Sequence, residues 1–478
     1  MTTVVLITID SLRHDHVSWM EESPVETPYL EALAERGTVF DTAIATAPMT
    51  TPAFPGLLAG AYPMDHGYNQ FKPAHEPVQD RLTDAGVTTV GITGNVATSA
   101  VFDYDRGFDR FYDTIPIEHR DRLKELADQH ADPPLGMGPS EWKRKRALQL
   151  RDNSDRTVPY GRADELTDEA VSSLESLSQG EDAFMWIHYM DPHYPYAPPR
   201  EFLETDTVWD RTEVNRAVYR WLSDQPDRCG PRPEGGRPYP DPPEAIDAFR
   251  RYYRAEIRFV EDQIRRLISA LERIRRMEET VLIITADHGE EFMEHDDYGH
   301  RAKLYDELIR VPLLVVDDSN YGLPAGTTVS EPTSHVDIPA TVTDFFRIDP
   351  HPEWRGRSLR EVANSDEETG SREYVLSEIC HHNSFTASLD PEDAIVAVRG
   401  AGWKYIKNRQ YGRKEAYDLD DDPREQSNLA EDVPVRVEML ASLCDRRLAA
   451  VEEASPRPGG TLPDVAKERL RQLGYRTD

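Results

Sequence analysis

The sequence predicts an α/β protein: a large, mostly parallel sheet flanked by helices, followed by a smaller C-terminal α+β subdomain. Three observations predict it. Short, continuous apolar runs recur from the N-terminus to residue 316, helical periodicity fills the intervals between them, and a polar stretch near residue 365 precedes a second set of strand patterns.

The strands are VVLITI (4–9), VTTVGIT (87–93), AFMWIHYM (183–190), TVLIITA (280–286) and VPLLVV (311–316). Strands buried on both faces of a parallel sheet read as unbroken apolar runs rather than alternating ones, and these do. Residues 163–177 and about 246–275 carry apolar positions at spacings of three and four, which predicts helices with one face on the sheet. Two stretches, about 116–160 and 200–245, are rich in Pro, Asp and Arg without strand signals, and are expected as surface insertions near one rim. EVANSDEETGSRE (361–373) reads as a linker, so the domains are expected at 1–365 and 366–478. The second contains strand patterns in YVLSEI, AIVAVR and WKYI, then a polar helical tail.

The chain has 88 Asp plus Glu against 55 Lys plus Arg, a formal charge of −33. That excludes a nucleic-acid binder held by a basic face. Only nine of the cations are Lys and 46 are Arg. High acidity with suppressed Lys fits a halophilic protein, whose self-repulsion is screened by concentrated salt while carboxylates hold hydration. Cys229, Cys380 and Cys444 are odd in number and widely spaced, which is neither a disulfide framework nor a zinc knuckle. The N-terminus runs straight into a strand pattern with no basic leader, and no apolar run is long enough for a transmembrane segment. A cytoplasmic location is expected.

In an open parallel sheet, chemistry gathers outside the carboxyl ends of the strands. Asp10 ends the first strand, Asp287 and His288 end TVLIITA, and HYMDPHYPY follows AFMWI. Thr50 stands just before Pro52 at a helix start, where free amides favour an anion. Two carboxylates, an imidazole and a hydroxyl make a divalent metal site. A Thr hydroxyl holds its proton at neutral pH, and a cation beside it is one of the few ways to make it nucleophilic. Each residue alone also suits a turn or helix cap.

These residues fall in stretches that resemble the sulfatases of the alkaline phosphatase superfamily. The stretches are LITIDSLRHDH (6–16), TTPAFPGLLAGAYPMDHG (50–67), GFDRFYD (107–113), HYMDPHYPY (188–196), ITADHGEEF (284–292), LYDELIRVPLLV (304–315), SHVDIPATVTD (334–344), RGRSL (355–359), WKYI (403–406) and YDLDDDPREQSNLA (417–430). They keep the family's order over nearly the whole chain. The resemblance implies an alkaline-phosphatase-like sandwich, with Asp10, Asp287 and His288 at metal-ligand positions and Thr50 at the nucleophile. It implies substrate-contacting or proton-donating roles for His193 and His300, and anion contacts for Arg301 and Lys303. Asp191, His193 and His335 are the residues available should a second metal bind.

The departures from the family pattern bear on chemistry. Sulfatases carry Cys or Ser in a C/S-x-P-x-R motif and oxidise it to formylglycine; the aligned run here is Thr50-Thr51-Pro52-Ala53-Phe54. Threonine cannot give the aldehyde, so no formylglycine is expected, and Phe54 replaces the supporting arginine. Ser11 stands where many sulfatases carry a further carboxylate. A Thr ester must be opened by in-line attack, which favours phosphorus over sulfur. The expectation is a hydrolase of sulfate or phosphate esters, phosphate ester or phosphodiester favoured, using one divalent ion (Mn, Zn or Ca) on a small-molecule, glycan or lipid-headgroup ester. The rivals are a phosphotransferase acting on a glycan or lipid hydroxyl, a phosphomutase, and a non-catalytic protein that binds an anionic ligand.

Overall fold

The computed structural model describes residues 2–454 apart from 21–22, 67–75, 115–159, 205–208, 224–243, 320, 366–370, 381–390, 401 and 433. The insertions expected at 116–160 and 200–245 lie largely outside the described residues, although Arg211–Ser223 of the second forms a helix. Among the described residues the large sheet has eight strands: β1 (Thr3–Ile9), β2 (Thr38–Phe40), β3 (Thr88–Thr93), β4 (Arg110–Asp113), β5 (Ala183–Tyr189), β6 (Thr280–Ala286), β7 (Leu313–Asp317) and β8 (Thr327–Val329). Their spatial order is β8-β2-β7-β6-β1-β5-β3-β4. Only β7 runs against the others. Every residue of β1, β5 and β6 is buried, which is why these three read as unbroken apolar runs.

Helices flank the sheet: α1 (Thr50–Ala59), α2 (Ala163–Glu175), α3 (Glu244–Arg273) and α4 (Asp337–Phe345), with α2 packed on α3 and α1 on α4. None of the described helices is long and apolar enough to cross a membrane.

Register places the candidate residues. Ile9 pairs with Tyr189 on one side and Ala286 on the other, so the next residues, Asp10 and Asp287, leave the sheet side by side. Parallel neighbours are about 4.8 Å apart, close enough for two carboxylates to share one ion. One step earlier, Thr8 pairs with His188, which brings a second imidazole to the same end.

The C-terminal sheet is antiparallel, with β9 (Tyr374–Cys380), β10 (Ala394–Gly400), β11 (Trp403–Asn408) and β12 (Arg413–Asp418) in sequential order. All of β10 is buried because its alternate residues face opposite ways. Val396 and Val398 join Leu440, Cys444 and Leu448 of α5 (Pro434–Ala454), while Ile395 and Ala397 join the core of the large sheet. A buried ion cluster adds to this seam: Asp306 accepts from Lys404 (2.9 Å) and Arg399 (3.2 Å), and Lys404 also meets Glu425 (2.8 Å).

Candidate functional site

Thr50 is the first residue of α1, and Met49, extended, occupies the cap position before it. The Thr50 hydroxyl is therefore not a cap; it points to Asp10 Oδ2 (3.4 Å) and His288 Nε2 (3.2 Å). The helix is seated deeply, with Gly56 as the point of closest approach. A Cβ there would stand 2.6 Å from Thr46 Oγ1 and 3.1 Å from His335 Cβ, so only glycine lets α1 approach this far. Gly289 serves the turn that carries His288: a Cβ would meet Glu307 O at 2.0 Å, and its N–H instead donates to Leu308 O at 2.7 Å.

Asp10, Asp287 and His288, all fully buried, each offer a ligand atom within 4.8 Å of the others. Asp287 Oδ1 accepts from the backbone of Ser11 (3.1 Å) and His288 (2.8 Å), which fixes the carboxylate and leaves Oδ2 buried without a hydrogen bond among the described residues. His288 Nδ1 lies 2.7 Å from Gly289 O. A carbonyl only accepts, so Nδ1 carries the proton and the lone pair sits on Nε2, facing Asp10 and Asp287 at 3.7 and 3.6 Å. Ser11 adds no charge here. Its hydroxyl donates to Asp10 Oδ1 (2.9 Å), and its left-handed backbone (φ 60°) is clamped by Tyr253 of α3, whose hydroxyl donates to Ser11 O (2.7 Å).

The electrostatics of the group are those of a cation site. Burial alone would raise Asp10, but the neighbouring imidazoles of His193, His188 and His288 outweigh it and hold the carboxyl well below its usual range. Burial, then the adjacent Asp10 charge, pushes Asp287 well above its usual range. Burial and the neighbouring His300 lower His288 to about 3, so the imidazole is neutral. Two carboxylates that repel, a neutral lone pair aimed between them and an orphaned carboxylate oxygen fit a divalent cation in the space they share.

The structure brings His193 and His300 to this group. The His300 ring lies 4.4 Å from that of His288 and 5.1 Å from that of His193. His193 Nδ1 contacts Tyr194 O, which leaves Nε2 as the working nitrogen. His300 Nδ1 meets the buried Glu290 at 3.0 Å. Arg301 and Lys303 are placed differently. Arg301 pairs with Asp297 (2.6 Å), and Lys303 with Glu291 (2.8 Å) and His295 O (2.9 Å), so both cations serve an internal ion network. Asp191 is turned to Ala163 N (2.8 Å) and to Glu256 of α3, and His335 bridges Thr46 N (3.4 Å) and Ala286 O (2.9 Å). Neither side chain faces the Asp10 group in these contacts.

Sequence reasoning missed three residues that touch the group or its imidazoles: His188, Asn95, whose Nδ2 donates to Asp10 Oδ2 (3.1 Å), and Glu290. His188 lies inside a run whose composition marks it as strand; only register with Thr8 reveals its position. Asn95 follows β3 by two residues, and the strand-end rule applied to VTTVGIT would have found it.

The sulfatase family model matches residues 2–348, and the model for the N-sulphoglucosamine sulphohydrolase C-terminal region matches residues 293–453. The chain is 25% identical over 472 residues to the uncharacterized sulfatase YidJ of Escherichia coli (strain K12), covering 92% of this chain and 86% of that protein. It is 22% identical over 479 residues to an arylsulfatase of Clostridium perfringens (strain 13 / Type A), covering 94% and 95%. Its fold superposes on the phosphonate monoester hydrolase of Agrobacterium radiobacter with a TM-score of 0.70 at 20% identity, over 95% of this chain and 96% of that one. With the family model spanning most of the chain and the fold agreeing, this protein is an ester hydrolase that belongs to the sulfatase family of the alkaline phosphatase superfamily.

Proposed function

We propose that the chain hydrolyses phosphate esters or phosphodiesters in preference to sulfate esters, with Thr50 Oγ1 as nucleophile and one divalent cation held by Asp10, Asp287, His288 and Thr50. The observation that carries this reading is the Thr50 hydroxyl directed into a dry group of two carboxylates and a neutral imidazole. The cation, when bound, supplies the positive charge that makes ionising a Thr hydroxyl feasible near neutral pH and offsets charge building on the substrate's oxygens. Mn²⁺ or Zn²⁺ suits the imidazole in this donor set better than Ca²⁺.

Thr50 releases its proton to solvent and attacks phosphorus, forming the Oγ1–P bond as the bond to the leaving oxygen breaks. His193 and His300 stand beside the group, and one of them, entering the step protonated, gives its proton to that oxygen. Water then attacks phosphorus, giving a proton to the same histidine, and Thr50 Oγ1 departs. A sulfate ester of Thr lacks the hemiacetal collapse that formylglycine allows, and Phe54 fills the place of the arginine that would support that residue. Arg301 and Lys303 bind substrate in this reading only by loosening their pairs with Asp297 and Glu291. The scarcity of Lys among the cations supports work in a salt-rich cytoplasm.

The test is hydrolysis of matched 4-nitrophenyl phosphate, bis-phosphodiester and sulfate in high-salt buffer, with Mn²⁺, Zn²⁺, Ca²⁺ or chelator, for wild type and Thr50→Ala. The phosphorus esters turn over faster, and chelator or Thr50→Ala abolishes that turnover. Preferential sulfate hydrolysis overturns the substrate assignment, and undiminished activity in Thr50→Ala overturns the nucleophile.

A further inference from the structure

His188 stands outside the four residues assigned above, yet faces them. Its ring is fully buried on β5, stacked with Trp186 (centroids 6.2 Å apart) and against the edge of Phe54 (4.8 Å, interplanar 80°). Nδ1 lies 3.0 Å from Thr8 Oγ1. Nε2 lies 3.4 Å from Asp10 Oδ2, an electrostatic contact outside hydrogen-bond geometry, and makes no hydrogen bond to any described residue.

The neighbours decide where the imidazole proton sits. Trp186 Nε1 can only donate, and it donates to Thr8 Oγ1 at 3.0 Å. The Thr8 proton then has two acceptors in reach, Ile187 O at 3.3 Å and His188 Nδ1 at 3.0 Å. The shorter contact directs it to Nδ1, which leaves the ring hydrogen on Nε2, on the side of Asp10. The opposite tautomer would hold a lone pair against a carboxylate oxygen in a dry interior, where such repulsion is strong. Asn95 Nδ2 (3.1 Å) and Thr50 Oγ1 (3.4 Å) donate to the same oxygen, so the His188 Nε2–H joins two donors already directed at Oδ2.

We infer that His188 is a positioning residue for Asp10. The chain from Trp186 through Thr8 to His188 sets the tautomer, and the Nε2–H beside Oδ2 then favours one rotation of the Asp10 carboxylate, to which it closes as a hydrogen bond when the cation draws Asp10 into place. Phe54 packs against the ring in a T-shaped contact and helps keep it fully buried. The inference rests on the reading of Asp10 as a cation ligand. Hydrogen bonds that orient a ligand from behind are typically worth about 10- to 100-fold in metal affinity.

The test is calorimetric titration of the metal-free protein with Mn²⁺, beside thermal melting of the same samples without metal. His188→Phe keeps the packed ring and removes the Nε2–H; it weakens Mn²⁺ binding by about 10- to 100-fold. Thr8→Val, close to isosteric, frees the tautomer without touching Asp10 and weakens binding by a smaller factor. His188→Gln restores an N–H near the same place and recovers part of the loss, which a purely structural role for the ring would not produce. If His188→Phe does not fold, the Thr8→Val and His188→Gln affinities decide. A wild type that binds Mn²⁺ while His188→Phe and Thr8→Val bind equally well overturns this inference alone. A wild type that binds neither Mn²⁺ nor Zn²⁺ nor Ca²⁺ removes the ligand reading, and this inference with it.

Discussion

Phe54 is the residue at which this chain parts most clearly from the formylglycine pattern, and the structure assigns it a packing role that can be measured. Its side chain is fully buried in α1 and makes three edge contacts: with Tyr104 (6.0 Å, 89°), Trp186 (5.3 Å, 62°) and His188 (4.8 Å, 80°). Aromatic pairs of this kind are worth about 0.5–1.5 kcal/mol each beyond the area they bury. Phe54→Leu keeps most of the apolar volume and loses the three contacts, a cost of about 2–4 kcal/mol. Phe54→Ala also leaves a cavity and costs about 3–5 kcal/mol. The assay is urea unfolding followed by tryptophan fluorescence at constant salt, with the Mn²⁺ affinity of each variant measured alongside. Because the ring also braces His188, affinity falls together with stability. A loss below about 1 kcal/mol in Phe54→Ala would refute the reasoning, since it would mean that the socket collapses freely and braces nothing.

Three further outcomes are expected. Burial and the Asp10 charge favour the uncharged form of Asp287 in the absence of a cation, so Asp287→Asn, permanently uncharged, raises the melting temperature of the metal-free protein increasingly as pH rises while abolishing its stabilisation by Mn²⁺; that increment in wild type is about 2.7 kcal/mol at a hundredfold excess over Kd. Asp191 and Glu256 form a buried carboxyl pair, Asp191 raised to about 6 and Glu256 well above its usual range, burial being the first cause of both. Raised carboxyl values mean that the folded state binds the proton more tightly, so this contribution to stability is complete below the ordinary carboxylate range and is lost as pH rises through 6 and beyond. Glu256→Gln, whose amide supplies the shared hydrogen permanently, flattens that decline in melting temperature. Arg447 of α5 grips the fully buried Glu378 (2.8 and 2.9 Å) and Asp65 (2.7 Å). Arg447→Met strands that carboxylate and costs about 3–5 kcal/mol by thermal unfolding, and adding Glu378→Gln recovers much of it.

The parts of the fold legible in the sequence were those where burial is symmetrical. β1, β5 and β6 are covered on both faces, so their composition alone marks them, and polar residues at their ends stand out against it. β2 and β8 have three residues each, too few for any period, and β12 reads RKEAYD because its first two residues lie on the surface and its third, Glu415, is a buried carboxylate. The same logic divides the site. Asp10, Asp287 and His288 follow apolar runs and announce themselves, whereas His188 sits within one and is found only through the Thr8 pairing. Arg301 and Lys303 stand out in the sequence by their charge. Their carboxylate partners, Asp297 and Glu291, are four and twelve residues earlier, and nothing in the spacing says that the chain folds back to pair them. His335 ends up between Thr46 and Ala286, a lining of the core rather than of the Asp10 group.

A covalent ester on Thr50 is the intermediate that this chemistry requires. Its most direct test is rapid-quench mass spectrometry of the Thr50 peptide during turnover of 4-nitrophenyl phosphate by the Mn²⁺-loaded enzyme in high salt, with 4-nitrophenyl sulfate in parallel. One phosphoryl group is expected on Thr50 during phosphate turnover, with none in Thr50→Ala and little or no sulfate ester. An enzyme that turns over either substrate with Thr50 unmodified at every quench time, and that stays active as Thr50→Ala, would contradict this expectation.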